Sequence, residues 1–170
     1  SWMKEKLPVR KVLARELGWR RRPVWFAKHH VSHGASSYFA SPFEESAILT
    51  VDGVGEWATA TQGYGRGNSM ELFHEIRFPH SLGLLYSAFT WYCGFKVNSA
   101  EYKLMGLAPY GEPRFVDRIK ELVQIAEDGS FRLDMKYFEY TKGTQMFNEE
   151  FEALMGQPRR PLESEEMGTH

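Results

Sequence analysis

The run Ala47-Ile-Leu-Thr-Val51, followed at once by Asp52-Gly53, decides the fold. An unbroken apolar and β-branched stretch of strand length predicts a strand buried on both faces, and Asp52-Gly53 predicts its end. Downstream, Trp57 to Tyr64 alternates threonines with small and aromatic residues, and Met70 to Phe78 alternates hydrophobic with polar ones. The turn residues Gly65-Arg-Gly-Asn68 between them predict a hairpin. Consecutive strands of this kind make an antiparallel meander, flanked by helices on at least one side, in a mixed α/β (α+β) domain.

On the N-terminal side, Pro8 suits a helix first turn, Val9, Val12, Leu13 and Leu17 recur at helical spacing, and Gly18 supplies a stop. Val24-Trp-Phe-Ala27 predicts a strand, and Ala35, Ser36, Tyr38 and Phe39 a short helix ending before Ser41-Pro42. On the C-terminal side, Leu82 to Tyr92 and Ala100 to Leu107 predict helices stopped by Gly94 and by Pro109-Tyr-Gly111. Phe115 to Ala126 reads as an amphipathic helix with Ile119, Leu122, Val123 and Ala126 on one stripe. Phe131-Arg-Leu133 and Tyr137 to Tyr140 predict short strands, and Gln145 to Met155 a last helix. Residues 1–156 form the domain, and the Pro-rich, charged residues 157–170 a loop, linker or tail.

Composition narrows the function classes. The chain has 170 residues, 42% hydrophobic and 15% aromatic, enough for one packed core. Its 21 Lys and Arg balance 22 Asp and Glu, so no global positive field draws it to nucleic acid or an anionic membrane. The basic block Arg20-Arg-Arg22 reads as a solvated surface patch. The single cysteine, Cys93, excludes an intrachain disulfide and fits a reducing compartment. Leu82 to Phe95 is polar-interrupted and shorter than the roughly 20 residues of a membrane span, and no apolar h-region follows the first residues. The expectation is a soluble, cytoplasmic protein.

His29 and His33 are four residues apart: connected by a helical turn, both imidazoles project from one face, close enough to share a metal ion, and otherwise they read as histidines hydrogen-bonded to backbone at a strand end. His30 competes with His29 for the first position. A carboxylate is the natural third ligand, and Asp52 is one candidate beside an aspartate from elsewhere. In Asp52-Gly-Val-Gly55-Glu56, Gly53 and Gly55 allow positive φ and close approach of backbone amides to a phosphate, while the Asp52 carboxylate can orient a substrate hydroxyl. Read by itself, Asp-Gly between strands is first a hairpin turn. Asn98-Ser-Ala-Glu101-Tyr-Lys103, leading to Gly111, is the densest polar and glycine cluster: Asn98 or Ser99 can cap a helix, Glu101 suits its first turn, and Lys103 either snorkels outward or meets a carboxylate or phosphate. His80 and Ser81 stand just before a helix, where free amides can receive an anion, but Ser81 reads first as an ordinary helix cap.

Together, His29-His-Val-Ser-His33, Leu49 to Thr59, Phe78 to Phe89 and Asn98 to Gly111 resemble the O-carbamoyltransferase family of nodulation and antibiotic-tailoring enzymes, in order and from about Val24 to Pro113. The resemblance implies part of an actin-like, TsaD-like domain of the ASKHA, ribonuclease H-like superfold. It implies carbamoyl phosphate and ATP as reactants, a carbamoyl-adenylate intermediate, and transfer to a hydroxyl of a sugar or natural product. It further implies a metal, usually Fe2+, on His29 and His33 with a later aspartate, and Asp52 as a catalytic residue that positions or deprotonates the acceptor hydroxyl. Gly53, Gly55, Asn98, Glu101 and Lys103 then fall on the side of the adenylate or substrate. Family members are longer, with an earlier phosphate-binding loop and a C-terminal YrdC-like domain, so these residues alone are expected to be inactive. Competing readings are a TsaD or HypF type of carbamoyl or threonylcarbamoyl transfer and a non-catalytic scaffolding domain.

Overall fold

The computed structural model describes residues 9–19 and 22–158. The expected helix appears as α1 (Val9–Glu16), which buries none of its residues, and Gly18 follows it at φ +66°. Pro8 and most of the basic block lie outside the described residues; Arg22 places its guanidinium 5.8 Å from the Trp19 ring centroid.

The centre is the expected meander. Helix α2 (His29–Tyr38) precedes β1 (Glu45–Gly55), β2 (Ala58–Arg66) and β3 (Ser69–Arg77), which pair antiparallel in the order β1-β2-β3. Ala47 opposes Tyr64 and Gln62 opposes His74. The connections are Glu56-Trp57 and Gly67-Asn68, with Glu56 at φ +65° and Gly67 at φ +54°, the left-handed conformation that short hairpin turns require. Asp52-Gly53 therefore does not end β1; both residues lie inside it.

The strand is also not buried on both faces. Ile48 and Thr50 turn inward at 6% exposure each, whereas Leu49 and Val51 are 69% and 49% exposed. Side chains alternate along a strand, and α2 covers only the face that carries Ile48 and Thr50. Gly34 makes this packing close: a Cβ there would stand 2.9 Å from Met70 Cε and 3.3 Å from Ile48 Cγ2. At the far end, Tyr38 Oη donates to the Glu44 and Gly67 carbonyls at 2.8 and 3.0 Å.

Two N-terminal expectations change. Val24 to Ala27 is irregular, having no strand partner among the described residues, and α2 starts at His29 instead of near Ala35. Its N-cap residue is Lys28, which makes no capping side-chain bond, so the helix start carries no Ser, Thr, Asp or Asn signal.

Helix α3 (Leu82–Tyr92) begins at Ser81, whose Oγ accepts from the Leu84 amide at 3.0 Å, the expected cap. Then come α4 (Glu101–Leu107), a 3-10 turn at Ala108–Tyr110 and α5 (Val116–Leu122). The predicted helix to Ala126 stops early because Val123–Ile125 becomes β4 and pairs with β5 (Phe131–Leu133). Tyr137 to Tyr140 is not a strand: a 3-10 turn covers Met135–Tyr137, and only an isolated bridge joins Phe138 to Phe147. The last helix, α6 (Glu149–Met155), starts after Asn148, whose side chain accepts from the Phe151 amide at 3.2 Å, four residues later than the predicted start at Gln145.

The main apolar core lies under α3. Leu85 and Ala88 meet Leu122, Leu133, Tyr137, Phe138, Phe147, Phe151 and Met155 there. Phe147 and Phe151 stack at 4.5 Å with an 18° interplanar angle. Among the described residues no helix is long and apolar enough to cross a membrane.

Candidate metal centre

One helical turn of α2 sets His29 and His33 on the same face, and a bulge in β1 brings the third group to them. Val51 opposes Ala60 and Gly55 opposes Ala58, so residues 52–54 of β1 face only Thr59 of β2. Extra residues of this kind bend a strand locally and re-aim a side chain. Asp52 Oδ2 thereby lies 2.5 Å from His29 Nε2 and 3.4 Å from His33 Nε2, and the two Nε2 atoms are 2.9 Å apart. One ligand atom from each of the three residues lies within 4.8 Å of the others.

The second carboxylate oxygen is also engaged: Asp52 Oδ1 accepts from the Gly53 amide at 2.6 Å. Burial alone would raise the Asp52 carboxyl, but the Gly53 amide and the His29 and His33 imidazoles outweigh it and hold the group below the ordinary aspartate value. Two imidazole nitrogens and a carboxylate oxygen, all reachable from solvent, form a donor set suited to a first-row divalent ion with positions left open for further ligands.

The glycines serve this cluster in a way their sequence did not announce. Neither Gly53 nor Gly55 has a positive φ; Glu56 takes that conformation. Gly55 is needed for space, because a Cβ there would overlap the His29 ring and stand 2.9 Å from His30 Nε2. Gly83, in the first turn of α3, is equally constrained, since its Cβ would meet the Asp52 carbonyl at 2.6 Å. Ser81, fully buried, donates through Oγ toward the Gly53 and Asp52 carbonyls at 2.7 and 3.1 Å while capping α3. The sequence offered Ser81 as a cap, or with His80 as an anion-receiving helix start, and gave no signal at Gly83. Beside His29 opens a cavity of about 460 Å³ whose wall includes Lys28, Trp57, Phe73 and Arg77.

The family model described as the carbamoyltransferase N-terminus matches residues 4–167, nearly the whole chain. The chain belongs to this family. It is 55% identical over 172 residues to the uncharacterized protein sll1178 of Synechocystis sp., covering 96% of this chain and 28% of that protein. It is 37% identical over 131 residues to the nodulation protein NolNO of Sinorhizobium fredii, covering 75% of this chain and 19% of that protein. A third relative, MJ1058 of Methanocaldococcus jannaschii, is 33% identical over 116 residues. The chain thus spans less than a third of the length of these relatives.

In this chain the Asn98 to Lys103 block does not join the His29, His33 and Asp52 cluster. Asn98 stands at φ +63°, and its amide donates to Glu101 Oε1 at 2.7 Å. Neither Asn98 nor Ser99 caps α4: the N-cap residue is Ala100, which makes no side-chain bond, and the Glu101 carboxylate reaches back instead. Ser87 of α3 donates to the same Oε1 at 3.4 Å, and Tyr86 Oη donates to the Glu101 carbonyl at 3.3 Å. Lys103 is exposed. His30, which the sequence offered as a rival first ligand, is buried at 4% exposure and turns into the sheet.

Proposed function

We propose that this chain is the metal-binding part of an ATP-dependent O-carbamoyltransferase with an actin-like, TsaD-like domain, moving a carbamoyl group from carbamoyl phosphate, by way of a carbamoyl-adenylate, to the hydroxyl of a sugar or natural product. One observation carries the reading: in a chain of the carbamoyltransferase family, His29, His33 and Asp52 each offer a ligand atom within 4.8 Å of the other two. The imidazoles and carboxylate would hold Fe2+ or another divalent first-row ion, the donor set of two histidines and one carboxylate being the type that leaves sites open. Once bound, such an ion supplies Lewis acidity toward the carbamoyl carbonyl.

The chain's own groups do the rest. Asp52 acts as third ligand and anchor in preference to a base, because Oδ2 faces both histidines and Oδ1 is held by the Gly53 amide. Gly53 and Gly55 keep this wall of the site free of side chains, and Asn98, just before α4, with Glu101 and Lys103 on α4, contribute to the adenylate side. The hydroxylated acceptor, the YrdC-like domain and a cytoplasmic location belong to the full-length protein of this reading.

The test is metal analysis of the purified chain. About one first-row ion per chain is expected after loading with Fe2+ under reducing, anaerobic conditions, and loss of that ion in His29→Ala, His33→Ala and Asp52→Ala variants that still melt cooperatively. Metal content that is near zero in the parent, or unchanged in all three variants, would refute the site. In the full-length enzyme, Asp52→Asn leaving both turnover and metal content intact would remove any role for that carboxylate.

A further inference from the structure

We infer that His30, Thr50 and Thr61 form a directed hydrogen-bond relay inside the molecule, and that His30 is a positioning residue which fixes the ligand-bearing face of α2 against the strand that carries Asp52. The inference rests on the metal reading above and concerns groups that this reading does not use.

The direction of the relay follows from its ends. His30 Nε2 lies 2.9 Å from the Ala58 carbonyl oxygen, which can only accept, so Nε2 carries the proton. With a single ring proton on Nε2, Nδ1 holds a lone pair, and it lies 2.6 Å from Thr50 Oγ1, which donates to it in this tautomer. With its proton spent, the Thr50 hydroxyl accepts from Thr61 Oγ1 at 2.7 Å. All three side chains are buried, at 4%, 6% and 3% exposure, and Thr50 directly opposes Thr61 in the ladder.

One side chain therefore ties three elements at one level. His30 stands between the two candidate ligands on α2. Thr50 stands two residues before Asp52 on β1, and Ala58 opposes Gly55 where β2 begins. Helix α2 has no side-chain cap at its start, so the buried relay, beside the half-exposed His29–Asp52 pair, fixes its first turn in rotation and depth, as Tyr38 Oη holds the last. An apolar side chain at position 30 would bury without fixing either coordinate, whereas hydrogen bonds in a dry interior are directional and costly to leave unmade. Groups that orient metal ligands from behind typically change metal affinity by about 10–100-fold when removed.

The experiment is a Co2+ titration of the full chain, read by the visible d–d absorption of the bound ion, alongside thermal unfolding of the metal-free protein. Thr50→Val keeps the shape of the side chain and deletes the donor to Nδ1. We expect at least about a tenfold rise in Kd and an altered band shape, with cooperative unfolding retained in the metal-free protein. Thr50→Ser, which restores the hydroxyl, should recover both Kd and spectrum, a rescue that loss of packing alone would not produce. Thr61→Val, one bond further from the ring, decides the question should Thr50→Val fail to fold, and a smaller change in the same sense is expected. Wild-type affinity and spectrum in the folded valine variants would overturn the relay while leaving the metal site standing. Failure of the parent chain to take up Co2+ saturably would overturn both.

Discussion

Between α2 and the sheet the buried side chains include His30, Thr50 and Thr61, joined by hydrogen bonds; under α3 they include Leu85, Phe138, Phe147 and Phe151, joined by contact alone. Burial of apolar surface stabilises without much regard to direction, so rings can shift and repack at modest cost. Hydrogen-bonded interiors contribute less net stability per group, yet each bond fixes a distance and an angle. The division has a location: the polar interior backs onto His29, His33 and Asp52, while the aromatic one lies on the other side of α3. The first holds a site in place and the second keeps the chain folded, with Ser81 at the boundary.

The largest effect expected from this contrast is in the aromatic region. Phe151 is fully buried and makes ring contacts with Phe89, Tyr92, Phe138 and Phe147. Phe151→Ala should cost about 3–5 kcal/mol in denaturant unfolding while metal affinity of the remaining folded fraction stays near the parent value. A loss of affinity in step with stability would mean that the two interiors are one.

Gly55→Ala tests the other side. The added methyl must displace the His29 ring, with an expected penalty of about 1–3 kcal/mol from overpacking. That penalty should appear mainly as weakened metal binding, by calorimetric titration, and little as a shift in unfolding midpoint. A wild-type isotherm would show that the ring has room to move aside.

Ser81→Ala should lower both quantities together, by about 0.5–2 kcal/mol for the lost cap, because the same hydroxyl holds the carbonyls of Asp52 and Gly53. Unequal sensitivity would assign the boundary to one region.

The smallest effect is a pH dependence. Burial first, and the charge of Arg132 second, hold the His80 imidazole below its ordinary value, and the Leu133 amide donates to its Nδ1. Below about pH 6.5 the unfolded chain takes up a proton there more readily than the folded one. The contribution of His80 is therefore fully present above that pH and lost as pH falls through it. The parent's unfolding midpoint should drop more between pH 7 and pH 5 than that of His80→Gln; parallel curves would remove His80 from the account.

Much of this architecture was legible in local pattern. The meander came from the apolar run before Asp52 and the alternation after it, and α3 from its periodicity and from Ser81. The failures share a physical cause, which is dependence on partners far along the chain. Val123 and Ile125 continue a helical stripe, but pairing with Leu133 and Phe131 draws them into a strand. The β1 bulge leaves no mark in sequence because none of residues 52–54 is left-handed, and in the turn that follows the left-handed residue is Glu56, where a glycine is the usual signal. For the site, the spacing of His29 and His33 was readable, and the order of the four blocks gave the family. Asp52 was offered as one candidate third ligand, but the choice of it over an aspartate from elsewhere and the inward turn of His30 were not readable, since both depend on how α2 lies across the sheet.

Trp57 lies on the cavity wall beside His29 and is 71% exposed. Its indole is thereby a built-in fluorophore next to the ligand cluster, and a paramagnetic ion arriving there would quench its emission. Subtracting the signal of Trp57→Phe from that of the parent isolates this one chromophore among the chain's 5 tryptophans. On the metal reading, the molecule would carry an optical gauge of its own occupancy.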